Sequence, residues 1–264
     1  MLVQYYTTYD EKRRLKKDNA HLVEYRTTLQ YLQKYIMNLP RGSTLLDCCA
    51  GCGVYAFPLA EMGFEVTAVD LMQKHVDIIK TSNKSSLLKN VYQGNVLDMS
   101  RFAENSFDVV LCFGALYHLQ ISTEREKCIQ ECLRVLKGGG LIFFAYINRN
   151  AIFINHFKHS PVDIKELDEL LLTGRNGVFY GMDFEEPDML AGKFKIDKIA
   201  NIAIDGLSYP LADQINILDE EQFETYMKYH LATCEQKALL GHSMHGLWIG
   251  RKTNGKSLPN ETYP

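Results

Sequence analysis

The chain has little of what several specialised classes of protein need. It carries no excess of basic charge: 29 Lys and Arg face 32 Asp and Glu, a formal net charge of −3 over 264 residues. Such a balance gives no general attraction to nucleic-acid phosphates or anionic membranes. Long apolar runs are also missing. Those such as Leu141 to Ile147 are far shorter than the ~20 residues that span a bilayer. The opening MLVQYYTTYDEKRRLKK lacks the apolar core of a secretion signal, so a cytoplasmic location without a membrane partner is expected. The cysteines number seven, an odd count at irregular spacing that fits free thiols in a reducing compartment. No second cluster accompanies Cys48, Cys49 and Cys52, so the paired knuckles of a zinc ribbon are absent and no metal is expected. Small residues lining a turn account for them instead. Internal repeats are absent as well.

What is present is ordinary in bulk and informative in order. With 46% hydrophobic and 23% charged residues, the chain reads as globular and long enough to bury a core without crosslinks. Residues 20–38 carry Leu22, Tyr25, Leu29, Leu32 and Ile36 on one helical face, stopped by Pro40 and Gly42. From Thr44 strands and helices alternate. TLLDC (44–48) reads as a strand, 54–62 as a helix, EVTAVD (65–70) as a strand, 73–80 as a helix and NVYQGN (90–95) as containing a strand. FDVVLCF (107–113) is the clearest strand, apolar without a break from Val109 onward, as a strand buried on both faces requires. A helix follows, with a capping box expected from Thr123 and Glu126 and a glycine cap from Gly138 to Gly140. GLIFFAYI (140–147) is the next strand. This alternation implies an α/β, mostly parallel sheet with helices on both faces. After residue 148 regularity fades into an amphipathic stretch near 163–172 and a Gly- and aromatic-rich loop, 173–184. A strand within 193–205, a helix near 219–232, a strand at 246–252 and a polar ending complete the chain.

The stretch that carries chemistry is Leu45-Leu-Asp-Cys-Cys-Ala-Gly-Cys-Gly53, set between a strand and a helix. Small residues let a backbone turn approach a ligand closely, and the carboxyl end of a central strand is where open α/β sheets bind ligands. The second strand ends at Asp70, whose two oxygens suit a ribose diol. Each glycine taken alone is simply a turn residue; the combination points to a nucleoside cofactor. A dinucleotide site wants G-x-G-x-x-G, which Cys49-Ala-Gly-Cys-Gly-Val does not supply. Asp47 inside the turn would repel a pyrophosphate and attract an ammonium. S-adenosylmethionine (SAM) has that ammonium and no phosphate.

LLDCCAGCG resembles the first motif of class I SAM-dependent methyltransferases, VTAVD the second and GNVLD (94–98) the third. FDVVLCFGALYHL and LRVLKGGGLIFFAY resemble the later strand units. HLVEYRTT (21–28), GALYHL, YHLATCE and LLGHSMH resemble a bacterial group of small-molecule methyltransferases without assigned substrate. The resemblance implies a Rossmann-like, seven-stranded, mostly parallel sheet. It implies a helical lid over 1–42, a SAM-binding core over 43–148, a substrate-cap insertion over 149–192, sheet completion over 193–252 and a polar tail over 253–264. It also implies a cofactor site of Asp47, Cys49, Ala50, Gly51, Gly53, Asp70, Leu71, Asn95, Val96, Phe113, Gly114 and Tyr117. The product would be S-adenosylhomocysteine (SAH). Two substitutions depart from the family pattern: Cys49 replaces the first glycine, and Asn95 stands where an adenine-binding acid is usual. Pro58 falls unusually deep in its helix, where a bend is expected.

For the acceptor side the sequence offers candidates that also have ordinary accounts as packing or solvated residues. Tyr117 can face a sulfonium, and His118 is the candidate general base. Tyr6, Arg14, Glu24 and Arg26 are placed in the lid, with an arginine available to the cofactor carboxylate. His156 with His159, Tyr180 with Phe184, and His242 with His245 are candidates to line a substrate space. Neither an Asp/Asn-Pro-Pro-aromatic motif nor a Pro-Cys nucleophile is present, so the acceptor is expected to be a small molecule and not nucleic acid. The remaining readings are an NAD-type oxidoreductase and a non-catalytic SAM-binding regulator.

Overall fold

The computed structural model describes residues 2–82, 84–160 and 167–253. Two N-terminal helices, α1 (Leu2–Thr8) and α2 (Asn19–Ile36), precede the alternating region. Asp18 caps α2 through the His21 N–H, satisfying one of the donors that a helix start leaves free. The alternating region is β1 (Thr44–Asp47), α3 (Ala56–Glu61), β2 (Glu65–Asp70), α4 (Gln73–Thr81), β3 (Asn90–Gln93), β4 (Phe107–Cys112), α5 (Ser122–Val135) and β5 (Leu136–Asn148). An insertion follows with α6 (Arg149–His159), α7 (Asp168–Thr173), β6 (Arg175–Asn176), β7 (Phe179–Met182) and α8 (Glu186–Ala191). The chain then returns through β8 (Ile196–Ala203), α9 (Ala212–Asn216), α10 (Glu220–Thr233), α11 (Lys237–Leu240) and β9 (His245–Lys252).

Strands β3, β2, β1, β4 and β5 lie side by side in parallel. Antiparallel β9 joins β5, and β8 pairs antiparallel with β9. These seven strands are the expected sheet; β6 and β7 bring the total to nine, with β7 paired to the end of β5. The alternation of side chains along each strand divides the core in two. Leu45, Val109 and Phe143 face one cluster with Leu32, Ile36 and Leu59. Leu46, Val110 and Ile142 face the other with Ile129, Cys132 and Val135. Both faces are covered, which explains the apolar run of β4 from Val109 onward.

Local signals misled in four places. No Thr123 capping box forms: α5 starts at Ser122 after Ile121, without a side-chain cap. Gly138 to Gly140 do not end a helix but lie inside β5, because the chain passes from α5 directly into extended backbone at Leu136. Helix α3 starts at Ala56, which puts Pro58 in its opening turn. There the missing N–H costs no helical bond, and the expected bend loses its cause. The 173–184 loop is a β6–β7 hairpin. The amphipathic stretch near 163–172 is seen from Leu167 onward; residues 163–166 and the tail beyond Thr253 lie outside the described residues.

Candidate active site

Parallel strands β1, β2 and β4 end on one edge of the sheet, and the cleft opens there. Gly51 adopts a positive φ of 52°, and its N–H donates to Asp70 Oδ2 at 2.8 Å. Asp70 Oδ1 accepts from the Met72 N–H at 2.8 Å and from His75 Nδ1 at 3.0 Å. The acid at the end of β2 therefore braces the turn after β1, and its two oxygens are fixed in place. Gly53 serves packing: a Cβ there would come within 2.8 Å of the Phe57 ring. Cys49 needs no glycine conformation, since Asn105 is the only non-glycine with positive φ among the described residues.

A cavity of about 140 Å³ runs along this edge. Asp70, Leu71, Asn95, Val96, Phe113 and Gly114 line it, and Tyr6 closes it from α1. Asn95 Oδ1 also accepts from the Leu97 N–H at 3.0 Å, which holds the amide in a fixed orientation. A narrower cavity of about 50 Å³ adjoins it, bordered by Asp47, Cys49, Ala50, Gly51 and Tyr55. Asp47 is 1% exposed, and its Oδ1 has no hydrogen-bond partner among the described residues. Burial, reinforced by the nearby charge of Asp70, pushes the Asp47 carboxyl up to about 7. A buried acceptor without a donor is costly. An amino-acid ammonium placed here supplies both the donor and the opposite charge.

A third cavity, about 460 Å³, lies on the other side of Tyr117. Tyr117 and Glu11 border all three spaces. The walls of this third cavity come from the N-terminal segment (Tyr5, Tyr6, Tyr9, Arg14) and from the insertion (Ile152, His156, His159, Phe179). The N-terminal segment and the insertion thus meet over one space.

The candidate residues divide clearly. Arg14 and Glu24 form a buried two-pronged pair, Nη1 to Oε2 at 2.8 Å and Nη2 to Oε1 at 2.9 Å. Against the opposing cost of burial, Arg14 and His245 hold the Glu24 carboxyl below its usual range. Arg26 instead pairs with Glu224 on the half-exposed outer face of α2, away from the cavities. Tyr180 lies under the Arg125 guanidinium at 3.7 Å and donates to Glu186 at 2.9 Å, so it braces the core. Phe184 packs near Lys237 and Gly241, and neither it nor Tyr180 lines the cavity. His242 is exposed, while His245 lines both the narrow and the large cavity.

His118 is not free to act as a base. Its Nδ1–H donates to the Val178 carbonyl at 3.0 Å. Nε2 must then accept, and it does so from the Tyr6 O–H at 2.8 Å. Burial lowers the pKa of His118, so a neutral imidazole clips α1 over the cleft. Sequence reasoning missed Glu11, His75, Tyr209 and Asp205. Glu11 stands in a charged run that reads as solvated surface, His75 takes its place from Asp70 five residues earlier, and the other two acquire meaning only through contacts with distant segments.

Residues 46–144 match the family described as a methyltransferase domain. A ubiquinone biosynthesis O-methyltransferase of Coxiella burnetii is 30% identical over 122 residues, covering 46% of this chain and 50% of that protein. The chain thus spans about half the length of this curated relative. The protein of the same name from Bordetella avium is 25% identical over 206 residues, 78% of this chain and 80% of that one. In fold, a SAM-dependent methyltransferase from Methanosarcina mazei superposes with a TM-score of 0.57 at 18% identity, covering 84% and 97% of the two chains. Residues 46–144 thus carry a methyltransferase domain, and the fold is that of the class I SAM-dependent methyltransferases. SAM is the cofactor of that class, and the orphaned Asp47 oxygen with the small-residue turn over Gly51 fits it. No helix among the described residues is long and apolar enough to cross a membrane.

Proposed function

We propose that this protein methylates a small molecule, with SAM in the two cavities along β1, β2 and β4 and the acceptor in the large one. The observation that carries the reading is the junction at Tyr117, where all three spaces meet. When bound, SAM supplies a methyl group on a positively charged sulfur, already activated for displacement. The chain's residues then hold, orient and dry the reactants, which supplies much of the rate. Asp70 would hold the ribose, Asn95 and Val96 the adenine, and Asp47 the ammonium. Tyr117 presents an aromatic ring at the junction, suited to a cation. Tyr6, clipped by His118, keeps α1 closed over the nucleoside.

The small-molecule acceptor is supported by the aromatic rings in the cavity wall and by the O-methyltransferase names of the curated relatives. An NAD-type oxidoreductase is disfavoured by Asp47, which stands where a pyrophosphate would have to lie. Calorimetry with SAM, SAH and NAD tests the donor: SAM and SAH are expected to bind and NAD is not, and NAD binding without SAM binding would overturn the assignment. Transfer of label from methyl-labelled SAM to a metabolite pool separates an enzyme from a SAM-binding regulator. Asp70→Ala should weaken SAM binding at least tenfold, through loss of charge-assisted contacts worth about 1.5–3 kcal/mol. It also frees the Gly51 N–H, so Asp70→Asn, which keeps an acceptor oxygen, should retain more of the turn's order. Equal SAM affinity in wild type and Asp70→Ala would remove the ribose role.

A further inference from the structure

The acceptor cavity contains a histidine whose surroundings differ from those of His118 in one decisive way. His245 Nδ1 donates to Asp205 Oδ2 at 2.7 Å. Asp205 is fully buried and accepts three further hydrogen bonds: from Ser243 Oγ at 2.5 Å, and from the His245 backbone N–H at 3.2 Å to Oδ1 and 3.0 Å to Oδ2. This carboxylate cannot turn away, so it fixes the imidazole ring and its tautomer. Nε2 is left without a hydrogen bond from any described residue, on a side chain that borders both the cofactor and the acceptor spaces.

The charged and titratable groups around His245 come from four other parts of the chain. Glu24 on α2 lies 3.3 Å from Nδ1, and Arg14, from the turn before α2, neutralises Glu24. Tyr209 stands at a ring distance of 5.7 Å and Tyr117, after β4, at 6.4 Å. Asp205 follows β8. Glu24, Asp205 and His245 are close enough together to resemble a metal site. Asp205 is already satisfied by N–H and O–H donors, however, and the Arg14 guanidinium occupies both oxygens of Glu24. The cluster is built to hold a proton on an imidazole.

The cavity that His245 borders has six aromatic rings in its wall, Tyr5, Tyr6, Tyr9, Tyr117, Phe179 and Tyr209, of which Tyr117 and Tyr209 lie against the imidazole. An aromatic wall beside an acid–base group suits a flat acceptor that carries an ionisable hydroxyl. We propose that His245, held by Asp205, takes the proton from the hydroxyl of a small aromatic acceptor and binds the resulting oxyanion as an ion pair. This rests on the methyltransferase reading above, since it assigns the acceptor side of that site. The proton leaves the acceptor oxygen for Nε2, giving an imidazolium beside a phenolate, and passes to solvent after turnover. Burial works against the charged ring, but the Glu24 and Asp205 carboxylates outweigh it and raise the His245 pKa.

The test uses 4-nitrophenol, whose phenolate absorbs in the visible, titrated against the SAH-loaded protein. Wild type should show the phenolate band about one pH unit below the titration of the free probe, a tenfold stabilisation of the anion. His245→Gln should bind SAH by calorimetry and lack the displaced band. Asp205→Asn, which keeps the ring but removes its charged partner, should place the band between the two. If His245→Gln does not fold, the Asp205→Asn shift carries the test alone. A band unchanged in the folded variants overturns the base assignment, and no displacement in wild type overturns the acceptor class. Failure of SAH and SAM to bind wild type would instead sink the methyltransferase reading, which the calorimetry reads separately.

Discussion

Asp47→Asn should make the cofactor-free protein more stable and, in the same molecule, a poorer binder of SAM. The carboxyl is held up to about 7 in the folded chain, against roughly 3.9 when unfolded. Folding therefore takes up a proton between those values, and stability falls as pH rises through that window. Above the folded pKa the cost is fully present, on the order of 4 kcal/mol; below about pH 4 it is gone. The amide removes that cost, so the variant should melt several degrees higher at pH 8, at about 2–4 °C per kcal/mol, and show little gain near pH 4. SAM affinity should drop roughly 10- to 100-fold at pH 8, from loss of a charge-assisted hydrogen bond. Wild-type affinity should also weaken as pH falls below 7, where protons compete with the ammonium, while the variant loses this dependence. Thermal melts and calorimetry at several pH values measure both arms. Unchanged melting and unchanged affinity would place the ammonium elsewhere.

Glu24→Ala should be the most damaging single change in the lid region, costing roughly 3–5 kcal/mol. The pair it breaks is buried, and deletion leaves the Arg14 guanidinium with only the longer contact to Glu11, Nε to Oε1 at 3.7 Å, in a pocket walled by Tyr117, Tyr209 and His245. Desolvation makes an unpaired internal charge far more expensive than the pair itself. A double variant, Glu24→Leu with Arg14→Met, should therefore recover most of the lost stability. Denaturant unfolding of the single and double variants decides the matter: a double variant as unstable as the single would mean that the helix packing, not the stranded charge, had failed. Arg26→Ala, which breaks the exposed pair with Glu224, should change stability by no more than about 1 kcal/mol.

The contrast between those two arginines indicates what a sequence can and cannot disclose. Both precede the sheet in helical, charged surroundings, and nothing local separates them. Their fates depend on partners: Glu24 lies ten residues from Arg14, whereas Glu224 lies 198 residues from Arg26. The half of the candidate site around Asp47 and Asp70 was legible because its logic is local. A strand, a turn of small residues and an acid at the end of the next strand announce Asp47, Gly51 and Asp70 within one stretch of chain. The parallel sheet was legible for the same reason, through the apolar continuity of β4 and β5. The other half was not. His245 meets Asp205 across 40 residues, and His118, the better-placed base by motif, has both nitrogens occupied by Tyr6 and Val178. The errors at Thr123 and at Gly138 to Gly140 share a cause, since propensity marks where a helix is permitted to start or stop and the sheet's demand for β5 decided where it did.

The long strand β5 has one last consequence. It pairs with β4 and β9 over its length and with β7 only at Ile147 and Asn148, so the insertion hangs from the end of a rigid beam. Ile152, His156, His159 and Phe179 of the insertion wall the largest of the three spaces at Tyr117, and none of them borders the two spaces along β1, β2 and β4. Substitutions at these four positions would therefore reshape that one space and leave Asp47, Gly51 and Asp70 untouched.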